Sequence, residues 1–151
     1  MNYRIATLHD VKQMLQVRHS VKENMLSNPD SITEEDCKHF LLEGGQGWVC
    51  EITGQIVGFV LVSLVQNNVW ALFIRPEYEK KGIGQKLQQL MLDWYFGQTK
   101  TTICLGTSPG TRAELFYRKS GWKEVGMHEE NELKFEMTQK DWVKYRQATI
   151  L

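Results

Sequence analysis

The stretch that decides the fold is Trp70-Ala71-Leu72-Phe73-Ile74-Arg75-Pro76-Glu77-Tyr78-Glu79-Lys80-Lys81-Gly82-Ile83-Gly84-Gln85-Lys86-Leu87. Its first five residues are apolar and rich in aromatic and branched side chains, which reads as a buried strand. Pro76 ends that strand, because proline has no amide hydrogen to give to a ladder. Gly82-Ile83-Gly84 then opens a helix whose apolar residues Ile83, Leu87, Leu90, Met91 and Trp94 recur at helical spacing up to Gly97, its expected stop. A strand, a glycine turn and a helix in that order bring unpaired N–H groups of a helix start to the end of a strand. Such a start attracts anions, and the helix end contributes roughly 0.3–1 kcal/mol toward one.

Working upstream, Trp48 to Ile52, a Thr53-Gly54 turn, Ile56 to Val65, an Asn67-Asn68 turn and Val69 to Ile74 read as three antiparallel strands joined by tight hairpins. Before them, Tyr3 to Ala6 is a short strand. Thr7 and Asp10 form a capping box for a helix with Leu8, Val11 and Leu15 on one face. A Ser27-Asn28-Pro29-Asp30 turn precedes a second helix, opened by Thr33 and Asp36 and closed at Gly44-Gly45. Downstream, Thr102 to Gly106 is a strand, Thr111 and Glu114 cap a helix that Gly121 ends, and Trp122 to Gly126 and Glu132 to Met137 are two last strands. A capped helix carrying Trp142, Val143 and Tyr145 finishes the chain, to be buried against this chain or a second copy. The order is β-α-α-β-β-β-α-β-α-β-β: an α/β fold of the mixed α+β kind, with a mostly antiparallel sheet flanked by helices. Residues 1–137 form one domain, and 138–151 are its helical tail.

Composition narrows the function. The chain has 151 residues, and 18 Lys plus Arg balance 18 Asp plus Glu. That balance argues against a groove that neutralises nucleic-acid phosphates, so any anion must be recognised locally. Cys37, Cys50 and Cys104 form no Cys-x-x-Cys pair, and His9, His19, His39 and His128 have no ligand spacing, so no metal is expected. The N-terminus lacks the apolar stretch of a signal peptide and no run reaches the ~20 residues of a spanning helix, so a cytoplasmic protein free of membrane is expected. A dinucleotide fingerprint would need glycine where Leu87 stands, and a Walker loop would need Gly-Lys-Ser/Thr.

Two motifs resemble those of the GNAT superfamily of N-acetyltransferases, which use acetyl-coenzyme A. The quoted stretch is similar to the family's motif A, Gln/Arg-x-x-Gly-x-Gly/Ala, and Ala113-Glu114-Leu115-Phe116-Tyr117-Arg118-Lys119-Ser120-Gly121-Trp122 is similar to motif B. The resemblance implies a GNAT-like domain over residues 1–137. It implies that Leu72, Phe73 and Ile74 lie along the coenzyme, with backbone groups of Leu72 and Ile74 pairing with the pantetheine arm. The pyrophosphate would lie on the amides of Lys80, Lys81, Gly82, Ile83, Gly84 and Gln85. The Leu72 amide would point at the thioester oxygen, and Tyr117 would protonate the leaving thiolate, with direct transfer to a small-molecule or peptide amine and no metal. On the acceptor side, Glu23 is the candidate for holding the substrate ammonium, joined by Arg18 and Trp70. The chain departs from the family pattern at Glu79, where Gln or Arg is usual, at Gly110, where Asn is common, and at Asn67 and Asn68, where some members carry a glutamate base.

Alternatives stay open at this point: transfer of another acyl group, a coenzyme A-binding regulatory module without turnover, or a nucleotide site built on Gly82-Ile83-Gly84. Tyr117 also reads as a core aromatic. Monomer and homodimer are equally compatible with the sequence.

Overall fold

The computed structural model describes residues 1–21, 32–127 and 131–150. Glu23, the 27–30 turn and His128 lie outside them. Among the described residues, seven strands form one sheet in the order β1-β2-β3-β4-β5-β7-β6. They are β1 (Asn2–Ile5), β2 (Gly45–Ile52), β3 (Gln55–Ser63), β4 (Asn68–Ile74), β5 (Ile103–Thr107), β6 (Lys123–Met127) and β7 (Leu133–Met137). The described helices are α1 (Val11–Ser20), α2 (Glu34–Leu42), α3 (Ile83–Gln98), α4 (Arg112–Lys119) and α5 (Gln139–Ile150). The element order and the mixed sheet are those expected from the sequence.

The hairpins form because their turn residues accept left-handed backbone. Thr53 and Gly54 have φ of 49° and 80°, the pair of positive angles a two-residue hairpin needs, and Asn67 has φ 54°. β3 runs through the middle of the molecule, and all seven residues from Ile56 to Val62 are buried. Its two faces serve two cores. Val57, Val60 and Val62 pack with Ile83, Leu87 and Met91 of α3, whereas Ile56, Phe59 and Leu61 pack with Met14 and Val17 of α1. Helices α1 and α3 therefore cover opposite faces of the sheet.

Two helix faces differ from the sequence expectation. Leu8 falls in a 3₁₀ turn, Leu8–Asp10, and is 40% exposed, while the buried side of α1 is Val11, Met14, Val17 and Arg18. The tighter turn rotates the register, so the 8/11/15 stripe is not the inner one. Gly97 lies inside α3, which ends one residue later, and α3 also buries Gln88, Leu92 and Tyr95. Gln88 accepts the Trp122 indole N–H at 2.9 Å and the Tyr95 hydroxyl accepts from Asn67 at 2.8 Å, while α5 meets α3 at other residues: Trp142 is 4% exposed and its indole Nε1 donates to Asp93 at 3.0 Å, and Gln85 donates to the Tyr145 hydroxyl at 3.3 Å. The tail is thus buried against its own chain. Cys37 and Cys50 are buried and Cys104 half-buried, all as free thiols. Among the described residues no helix is long and apolar enough to cross a membrane, and no cluster of His, Cys, Asp and Glu is arranged to hold a metal ion.

The start of α1 is fixed by Asp10, whose carboxylate accepts the Thr7 amide at 2.8 Å and both Arg4 guanidinium nitrogens at 2.7 and 2.9 Å. These bonds, Arg4 first, pull the Asp10 carboxyl from 3.8 down to about 2. A depressed carboxyl stabilises the fold above its ordinary value and loses that contribution as pH falls through the folded value. Asp10→Asn is therefore expected to cost about 2 kcal/mol at pH 7, with the gap to wild type closing between pH 4 and pH 2. Urea unfolding across that range measures it, and a gap that does not depend on pH would show that the ion pair is not its source.

Candidate active site

β4 is a central strand, yet its residues 70–74 are only half-buried while its neighbour β3 is sealed. The cause is a split in the sheet. Among the described residues, β4 pairs with β5 in register only at Asn68, opposite Cys104, and beyond that point the two parallel strands diverge. The side of β4 left open follows from its pairing with β3. The Arg75 amide donates to the Val57 carbonyl at 2.8 Å, and Phe73 sits opposite Phe59. Because an antiparallel strand points successive backbone groups to alternate sides, the amides of Leu72 and Ile74 face away from β3, into the split. Trp70 has no partner residue across from it, since Leu61 faces Ala71 and Val62 faces Val69. This bulge turns β4 just where it leaves β5.

The split opens into a groove of about 960 Å³, the upper end of the usual range for small-molecule clefts and suited to a long ligand. Leu72, Phe73 and Ile74 form one wall. Lys80, Gly82, Ile83, Gly84 and Gln85 form one end, and Ala113, Leu115, Phe116 and Tyr117 of α4 form the opposite wall. At the glycine end, Lys80 has φ 64° and Gly82 has φ 81°. A left-handed lysine is uncommon, and the local turn presents successive amides on a concave surface next to the unpaired first N–H groups of α3. Gly82 needs its glycine for that backbone angle. Gly84 does not: a Cβ built there would meet Phe116 at 3.6 Å and Ile74 at 3.9 Å, ordinary contacts on the groove side.

Of the candidates, Leu72, Phe73, Ile74, Lys80, Gly82, Ile83, Gly84, Gln85 and Tyr117 are brought together on this groove; Lys81 is exposed and is not among its lining residues. Arg18 and Trp70 lie toward the α1 and α2 face, where Trp70 stacks on Phe40 with centroids 4.3 Å apart and Arg18 lies over Phe73. Tyr117 is 7% exposed and packs edge-on against Phe116 and Trp122, and burial pushes its phenol well above the ordinary value. A core aromatic and a groove-lining phenol are here one residue. Among the described residues its hydroxyl has no hydrogen-bond partner.

The sequence departures find physical reasons. Glu79 pairs with Arg112 at the first turn of α4, a contact that sequence reasoning missed because 33 positions separate the two. Both line the groove, so the negative charge of Glu79, unfavourable beside a bound anion, is offset by a guanidinium. Gly110 has φ 76°, and its amide donates to Glu114 at 2.7 Å, which seats the N-terminus of α4. Asn67 donates to the Tyr95 hydroxyl at 2.8 Å and holds the β4 start on α3.

Among the described residues the sheet is split at its one parallel junction, and a glycine-rich helix start closes the split. The acetyltransferase (GNAT) family profile matches residues 8–122, and the chain belongs to this family. In fold it is similar to the PaiA N-acetyltransferase of Thermoplasma acidophilum in complex with coenzyme A, with a TM-score of 0.78 at 17% identity over 91% of this chain and 99% of that one. A GNAT-family acetyltransferase of Staphylococcus aureus gives 0.75 at 20% identity, again over 91% and 99%. The ribosomal-protein-alanine N-acetyltransferase of Brucella melitensis gives 0.70 at 15% identity over the same shares. Among curated proteins none matches the sequence.

Proposed function

We propose that the protein is an acetyl-CoA-dependent N-acetyltransferase that passes the acetyl group directly to a primary amine of a small molecule or peptide. The observation that carries this reading is the pair of outward amides on β4, Leu72 and Ile74, in one groove with Lys80, the 82–85 helix start and Tyr117. Acetyl-CoA supplies an activated acetyl thioester. Leu72 and Ile74 pair with the pantetheine arm as a strand would, and the amides from Lys80 to Gln85 take the pyrophosphate. The Leu72 amide donates to the thioester oxygen as charge develops there, an effect worth roughly 100- to 1,000-fold. The amine nitrogen bonds to the carbonyl carbon, the carbon–sulfur bond breaks as Tyr117 gives its proton to sulfur, and the proton that the nitrogen then loses returns through water to the Tyr117 phenolate.

Among the described residues, Glu79 is the one carboxylate lining the groove, and Arg112 holds it. The amine therefore sheds its proton to water, and kcat/KM is expected to rise with pH toward the acceptor's own pKa. The test is thiol release from acetyl-CoA across a panel of amines. Release that depends on an amine supports the reading. Binding without release for any amine would favour a regulatory coenzyme A module, faster release from another acyl-CoA would move the donor, and ATP or NAD binding that acetyl-CoA does not displace would overturn the site.

A further inference from the structure

Among the described residues, Arg18 is a buried cation without a counter-charge. It is 8% exposed, and its Nη1 is sealed from solvent with no hydrogen-bond partner among the described residues. The other five arginines, Arg4, Arg75, Arg112, Arg118 and Arg146, each reach a carboxylate or a carbonyl oxygen. Arg18 has instead the face of Phe73, with its guanidinium carbon 4.5 Å from the ring centroid. What a cation gains over an aromatic ring is less than what taking a guanidinium out of water costs. Burial works against the charge, pushing the Arg18 pKa down, yet arginine does not give up its proton in a protein. The donor is left waiting for an acceptor.

Its place says which molecule brings that acceptor. Phe73 lines the groove, and so does Val21, three residues beyond Arg18. Arg18 nevertheless belongs to α1, and the glycine helix start belongs to α3 on the other face of the sheet. An anion held by Arg18 is therefore a different group from the pyrophosphate. Resting on the acetyltransferase reading, we propose that Arg18 binds a carboxylate of the acceptor, so that the substrate is a primary amine that also carries a carboxylate, as in an amino acid or a short peptide.

The experiment compares α-amino acids and dipeptides with their amides, and with polyamines, by thiol release from acetyl-CoA. Carboxylate-bearing acceptors are expected to lead their amides by roughly 10- to 100-fold in kcat/KM, the worth of a hydrogen bond to a charged group. Arg18→Met, which keeps the stem over Phe73, should bring each pair near parity, and the better of the amino acid and dipeptide arms names the source of the carboxylate. Equal use of acids and amides by wild type, or a preference for polyamines, would overturn the proposal. A second readout needs no turnover and no variant that must fold well. In ¹⁵N-labelled wild type, the Arg18 Nε–H signal should move on titration with amino acid and stay still with the amide. An Arg18 signal that moves with neither refutes the carboxylate site, even when acetyl transfer is found. Conversely, absence of transfer to every amine sinks the enzymatic reading while the titration still decides Arg18.

Discussion

Gly84→Val should bind acetyl-CoA about 100-fold more weakly than wild type while melting at the same temperature or slightly above it. The two halves of this expectation have separate causes. A Cβ at position 84 would sit 3.6 Å from Phe116 and 3.9 Å from Ile74, so nothing in the protein has to move for it. Gly84 is the second residue of α3, and replacing glycine within a helix recovers a few tenths of a kcal/mol of propensity. The γ carbons of valine, however, extend into the end of the groove that the first amides of α3 line. Two charge-assisted bonds from those amides are together worth about 3–6 kcal/mol, and losing half of that is about 100-fold in affinity. Titration calorimetry and a melting curve read both halves. Gly82→Val is the useful contrast, because φ 81° strains any β-branched residue and the cost there falls on the fold. Unchanged calorimetry for Gly84→Val would remove this loop from the coenzyme site.

Much of this groove can be seen in the sequence because its parts are local. The stop at Pro76, the left-handed Gly82 and the helix start at Ile83 lie within eight residues, and turn chemistry alone orders them. The hairpins at Thr53-Gly54 and Asn67 are legible for the same reason. What is not legible depends on distance. The divergence of β4 from β5 after Asn68 is a relation between two strands, each of which reads as an ordinary apolar segment. The Glu79–Arg112 pair joins the turn after β4 to the start of α4, and α5 finds α3 through Trp142 and Asp93, 49 positions apart. Arg18 divides between the two: the family resemblance puts it among the acceptor-side candidates, but only the packed structure turns it inward onto Phe73.

Tyr117→Phe should lower turnover at least tenfold with little change in acetyl-CoA affinity or melting temperature. The fold part rests on packing: the ring lies against Phe116, Trp122 and Phe135 at centroid distances of 5.3, 5.7 and 6.3 Å, and phenylalanine keeps all three contacts. Removing the hydroxyl strands no partner among the described residues, so the usual penalty for an orphaned buried group does not arise. The rate part rests on the proton. Burial holds the phenol above its ordinary 10.0, so Tyr117 is protonated throughout the neutral range and can donate as negative charge collects on sulfur. Its loss of the proton would begin only above the ordinary phenol range, so no falling limb from Tyr117 is expected below pH 10. A positioned general acid is worth roughly 100- to 10,000-fold, and water reaching the sulfur recovers part of that. An interaction made chiefly in the transition state lowers kcat and kcat/KM together, which separates it from a lost binding contact. A more acidic leaving thiol needs the acid less, so the defect should shrink with acetyl thioesters of low-pKa thiols. A variant that turns over acetyl-CoA at the wild-type rate would leave Tyr117 as part of the core alone, and a defect that ignores the leaving group would place its hydroxyl on some other step.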